Sequence, residues 1–89
     1  MNLPARVPIF GHWFDVVVEE DPLTESCEGY CDYQTHSIHI SPRLCEEAAL
    51  ETLGHEMLEA ANTIANLELE HHQITIVGML LFQSFELKS

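Results

Sequence analysis

Basic side chains are nearly missing from this chain. Only 3 Lys or Arg stand against 15 Asp or Glu, which gives the 89 residues a net charge of -12. A surface of that sign repels phosphate backbones, so ordinary nucleic-acid binding is excluded and cations or a basic protein partner are favoured. Long hydrophobic runs are missing too. The longest, Ile76–Phe82, contains Gly78 and falls far short of the roughly 20 residues that span a bilayer. No basic segment leads into an apolar run near Met1. Neither a secretory signal nor a membrane partner is therefore expected, and the chain is expected to be cytoplasmic. Cysteines are few and odd in number, namely Cys27, Cys31 and Cys45. The C-x3-C spacing is not that of a common zinc ribbon, so reduced, partly buried thiols are the expectation. There is no internal repeat and no low-complexity segment.

Apolar residues make up 46% of the sequence, which suits a packed globular core, and the length predicts a single domain over 1–89. Residues 1–41 read as a lead-in and a sheet, and 42–87 as two helices. The first eleven residues, with two prolines and a glycine, are expected to be an extended lead-in. His12–Glu20 is aromatic and β-branched and predicts a strand. Asp21–Gly29 opens on Asp-Pro and closes on Gly, as a loop would. Tyr30–Ile40 predicts a hairpin, with Tyr30–Tyr33 and Ser37–Ile40 as its arms. In the second arm Ile38 and Ile40 point one way and His39 the other. His36 and His39 are expected at the surface. The fold class that follows is α+β, a small antiparallel sheet of about three strands packed on two long helices.

Ser41-Pro42 has the form of a helix start, with Ser as N-cap, Pro at the first helical position, and Glu46 and Glu47 near the positive end of the dipole. The first helix is expected from about Pro42 to Asn66. The 3.6-residue period places Leu50, Leu53, Met57, Ala60, Ala61 and Ile64 on one face, and Glu51, His55, Glu59, Asn62 and Asn66 on the opposite, wholly polar one. After a short connection, a second helix is expected over about Glu70–Leu87, with Ile74, Val77, Gly78, Leu81 and Phe85 as its apolar stripe. His71 lies near that stripe and faces the first helix, whereas His72 points to solvent. Ile76, Met79 and Leu80 form an apolar back that a second copy of the chain would cover.

The chemistry sits in His55-Glu56-x-x-Glu59, one residue removed from the H-E-x-x-H zinc-protease pattern. With 6 His and 15 acidic residues, composition alone produces such a match about once in six chains of this length. Three contexts raise its weight. The motif lies in mid-helix, where residues four apart share a face. That face is polar throughout. A third candidate ligand, His71, starts the next helix, with His72 as its rival. Imidazole and carboxylate suit zinc, and three protein ligands leave a position for water. Mn, Fe or Ni would accept the same donors. Glu56 holds the place of the general base in H-E-x-x-H enzymes. Asn62 and Glu51 are candidates to orient the ligands. The plain alternative is a solvated polar helix face.

Taken together, the residues resemble the minimal zincin-like metallopeptidases often encoded by phages and prophages. The matching residues are Gly29, Asp32, Tyr33, Ile38 and Ile40 in the hairpin, then Leu53, His55, Glu56, Glu59, Ala60 and Asn62, then Leu67, Leu69, His71 and Ile74. The similarity covers about residues 29–85. It departs at Gly54, where a larger apolar residue is usual. The resemblance implies His55, Glu59 and His71 as zinc ligands, Glu56 as general base, and a small sheet packed on the helices. Three functions follow as expectations. One is a zinc-dependent metallopeptidase-like hydrolase acting on a peptide or protein. Another is a non-catalytic acidic binding or inhibitory protein with a structural metal and a basic partner. The third is an acidic mimic of nucleic acid, indifferent to chelators.

Overall fold

The computed structural model describes residues 3–78. Arg6–Ile9 (β1) and His12–Val18 (β2) form an antiparallel hairpin. Both residues of its turn have positive φ, 48° at Phe10 and 83° at Gly11. Turns of that kind match the right-handed twist of the flanking strands. β1 occupies the stretch expected to be an extended lead-in. Its prolines concealed it, but Pro8 sits on an edge strand, where a missing N–H is tolerated.

Gly29–Asp32 (β3) and Ser37–Ile40 (β4) make the expected hairpin. The Asp32 carboxylate accepts from the Gln34 and Thr35 amides at 2.9 and 3.3 Å and so holds the turn. The sheet order is β1-β2-β4-β3, and β2 runs parallel to β4, with Val16 opposite Ile38 and Val18 opposite Ile40. The sheet is therefore four-stranded and mixed, not three-stranded and antiparallel. Residues 19–28 carry the chain across, so that β3 takes the far edge and β4 returns beside β2. Asp21 anchors this crossing by accepting from the Leu23 and Thr24 amides at 2.8 and 2.9 Å.

Strand alternation turns Val7, Ile9, Phe14, Ile38 and Ile40 onto one face, where they form the core with Ala49, Leu53 and Ala60 of the helix Glu46–Ala65 (α1). α1 begins four residues later than expected. Ser41 is buried, and its hydroxyl accepts from the Arg43 amide at 3.3 Å, so it organises the turn at 42–44 and Cys45 takes the N-cap position without a side-chain bond. The helix ends at Asn66 in the left-handed conformation, whose amide donates to the Asn62 carbonyl. Thr52 and Ala49 face the sheet and Leu50 is exposed, a rotation from the expected stripe. Small groups are needed there because a Cβ on Gly29 would lie 2.8 Å from both the His39 carbonyl oxygen and Thr52 Cγ2.

Residues 71–78 are helical. Ile74 is buried, as the stripe predicted, whereas Val77 of the same stripe is exposed. Gly78 lies against Leu58 of α1. Leu81 and Phe85 of the stripe, and Met79 and Leu80 of the apolar back, lie outside the described residues. Ile76, the described member of that back, is exposed. No helix among the described residues is long and apolar enough to cross a membrane.

Candidate metal centre

Helical spacing places His55 and Glu59 one turn apart on α1, with His55 Nε2 3.6 Å from Glu59 Oε1. The third group arrives through the connection at 66–70. There the Leu69 amide donates to Asn62 Oδ1 at 3.0 Å, and Asn62 Nδ2 donates back to the Leu69 carbonyl at 3.2 Å. The chain is thereby folded against α1, and His71 Nδ1 comes within 3.2 Å of the same Glu59 oxygen. The His55 and His71 rings meet edge to face, 5.0 Å between centroids. One donor atom from each of His55, Glu59 and His71 lies within 4.8 Å of the other two.

The donor set fits a small transition-metal ion. A tetrahedral centre with bonds near 2.0–2.1 Å separates its ligand atoms by about 3.3–3.4 Å. The two contacts at Glu59 are already close to that spacing. His72 does not join them. His71 and His72 are both exposed, but the His72 ring pairs with Glu70 at 3.4 Å. On this helix face His55, Glu59 and Asn62 are half-buried, while Glu51 and Asn66 are exposed. Asn62 bonds none of the three donor residues in the structure. Its effect on His71 runs through the connection. Glu51 likewise bonds none of them, but lines the adjoining cleft.

Glu56 turns toward the sheet side of the same helix and is half-buried. Burial, and secondarily the Glu59 charge, push its carboxyl up to about 6, with His71 acting the other way. A carboxyl so placed exchanges a proton near neutral pH more readily than an exposed one. Across from it, burial pushes the Cys31 thiol up to about 11, and the Glu56 charge adds to the effect. Such a thiol is inert. Cys27 is also half-buried, whereas Cys45 is exposed, contrary to expectation; all three are free. No cysteine belongs to a metal-binding group among the described residues.

His55, Glu56 and His71 line a cleft of about 500 Å³, together with Gly29 of β3 and Glu28 just before it. The Ser41 amide donates to the Glu28 carbonyl at 2.8 Å, which sets the alternation of the β3–β4 ladder. Gly29 and Cys31 consequently direct their backbone N–H and C=O groups away from β4, along the free edge. The sequence pattern did not single out Glu28 or this edge. The signal available was Gly29, whose lack of a side chain permits the close approach of β3 to α1.

On the outer face of the sheet, His39 is half-buried rather than at the surface. It stacks on Tyr30 with 4.5 Å between ring centroids and bonds Ser37 Oγ through Nε2 at 2.8 Å. The Tyr30 hydroxyl donates to Asp21 at 2.9 Å. His36 is exposed. Neither histidine belongs to a metal-binding group among the described residues.

No protein-family model, curated protein or solved structure matches this chain. The functional reading rests on the residues and their arrangement.

Proposed function

We propose that the chain is a metal-dependent, peptidase-like hydrolase, with zinc as the first candidate ion and another divalent transition metal as the alternative. The observation that carries this reading is the convergence of His55, Glu59 and His71, with His55 and His71 lining a cleft beside the half-buried Glu56. His55, Glu59 and His71 would hold the ion. Bound zinc lowers the pKa of a coordinated water toward about 7 and polarises a carbonyl. Glu56 takes the proton of the attacking water and returns it to the departing amine. At the outer edge of β3, where the Gly29 carbonyl accepts from the Cys27 thiol at 3.6 Å, the Cys31 backbone N–H and C=O would be open to an extended peptide beside the cleft. The test is elemental analysis joined to a cleavage assay. Zinc should be near one per chain and fall on His55→Ala. Peptide cleavage should vanish on Glu56→Gln while zinc remains.

One observation favours a second reading, a non-catalytic binding protein with a structural metal. Glu59 already joins His55 on α1 to His71 beyond the connection, so an ion there would fasten two segments together. In that case Glu56→Gln leaves biological activity intact, and binding of a basic partner weakens steeply with salt.

A further inference from the structure

Which substrates would the cleft accept? Its lining includes Glu28 and Glu51 in addition to the groups beside the metal-binding cluster, and no Lys or Arg. The described cations are engaged elsewhere, Arg6 with Asp15 at 3.5 Å and Arg43 with Glu20 at 2.8 Å. Glu28 receives only a long bond from the Thr52 hydroxyl, 3.4 Å, and Glu51 has no side-chain partner among the described residues. Neither belongs to a group of three that would hold a second ion. Glu28 and Glu51 are the cleft carboxylates that neither metal binding nor proton transfer uses.

We propose that Glu28 and Glu51 select substrates by a basic side chain, so that the cleft takes peptides carrying Lys or Arg next to the bond presented to the metal. This inference rests on the hydrolase reading for the word substrate, but the selection itself is a property of binding. Two carboxylates lining one cleft, one just before β3 and one from α1, attract an ammonium or guanidinium group without any rearrangement of the helix. The Thr52 hydroxyl, already in contact with Glu28, adds a neutral acceptor at the same wall.

The experiment compares a lysine-containing fluorescent hexapeptide with the same peptide carrying acetyl-lysine, bound to the zinc-supplemented full chain at low and high salt. Binding is followed by anisotropy. The lysine peptide should bind about tenfold more tightly at low salt, and the preference should collapse at 1 M salt. The double variant Glu28→Gln, Glu51→Gln should lose the preference while its zinc content and helical circular dichroism stay those of the parent. Equal binding of the two peptides by the parent overturns the proposal. So does a preference that survives in a folded double variant. If the double variant does not fold, Glu51→Gln alone decides, since Glu51 is exposed on α1 and its replacement should lower the preference about threefold. Cleavage is scored separately. A parent that discriminates but never cleaves refutes the hydrolase reading and leaves the selection standing.

Discussion

Asn62 and Leu69 are joined by two reciprocal hydrogen bonds, side-chain oxygen to amide at 3.0 Å and side-chain nitrogen to carbonyl at 3.2 Å. The Leu67 amide also donates to the Asn62 backbone carbonyl at 3.1 Å. Through this one residue α1 determines where the next segment begins, and therefore where His71 stands. Asn62→Ala removes both side-chain bonds and touches none of the three donor residues. It should weaken zinc binding about 10- to 100-fold while the circular dichroism of the helices is nearly unchanged. Competition against a fluorescent chelator measures it. An unaltered affinity would show that His71 is placed by other contacts.

Gly54 is the position at which the chain departs from the zincin-like pattern, and a Cβ built there meets nothing within 4 Å. Since α1 is helical throughout, glycine contributes only flexibility at this point. Gly54→Ala should stabilise the fold by roughly 0.5–1 kcal/mol. Chemical denaturation gives the value, and a loss of stability would mean that a neighbour outside the described residues fills the space.

Gly29 should behave in the opposite way. An added methyl would meet a backbone carbonyl and Thr52 Cγ2, both at 2.8 Å, and the backbone cannot yield cheaply. Gly29→Ala should cost about 1–3 kcal/mol. The companion change Thr52→Ser removes the Cγ2 clash alone, so the double variant should recover part of the loss, and denaturation midpoints would reveal whether it does.

These two glycines illustrate how much could be read from sequence. The hairpin 30–40, the long helix and the approach of His71 rather than His72 followed from local pattern, because each depends on residues a few positions apart. The parallel pairing of β2 with β4 did not, since it is a choice among partners that alternation treats as equal. β1 was concealed by Pro8, whose meaning depends on whether a strand lies at an edge. The helix start was misplaced because Ser41 and Pro42 can cap a turn as well as a helix. In the candidate site, spacing brought His55 and Glu59 together, whereas Glu28 and the free edge of β3 needed the tertiary arrangement to be noticed.

The outer face of the sheet predicts two limits on stability with pH. The Thr24 amide above all, with help from the Tyr30 hydroxyl and the Leu23 amide, holds the Asp21 carboxyl below its usual range against the opposing effect of burial. A depressed folded pKa stabilises the fold above the ordinary value of about 3.9, and that contribution is lost as pH falls through the folded pKa. Tyr30 is displaced in the other direction. Burial and then its bond to Asp21 push the phenol up to about 12. Its contribution is complete below pH about 10 and is lost as pH rises toward the folded value. Tyr30→Phe should abolish the alkaline fall of the denaturation midpoint attributable to this group. A midpoint that declines identically between pH 10 and 12 in parent and variant would assign the effect elsewhere.

Metal removal provides the most direct prediction, because Glu59 is the group both histidines reach, at 3.6 and 3.2 Å. Zinc that binds only the folded chain, at a hundred times its dissociation constant, should add about 2.7 kcal/mol of stability. For a domain of this size that raises the melting temperature by about 10 °C or more. A chelator should reverse the gain. Magnesium should give none, since it favours oxygen ligands and two of the three donors are imidazoles. Glu59→Ala leaves two histidines without their shared carboxylate, so its melting temperature should be nearly insensitive to zinc. Zinc stabilising the parent and Glu59→Ala equally would place the ion away from His55 and His71. Glu59→His completes an H-E-x-x-H pattern and removes one negative charge from the ligand set. It should retain zinc and raise the rate of peptide cleavage over the parent, measured at saturating metal. A variant that binds zinc, folds, and still cleaves nothing would locate the missing element outside the ligands and favour the structural reading of the site.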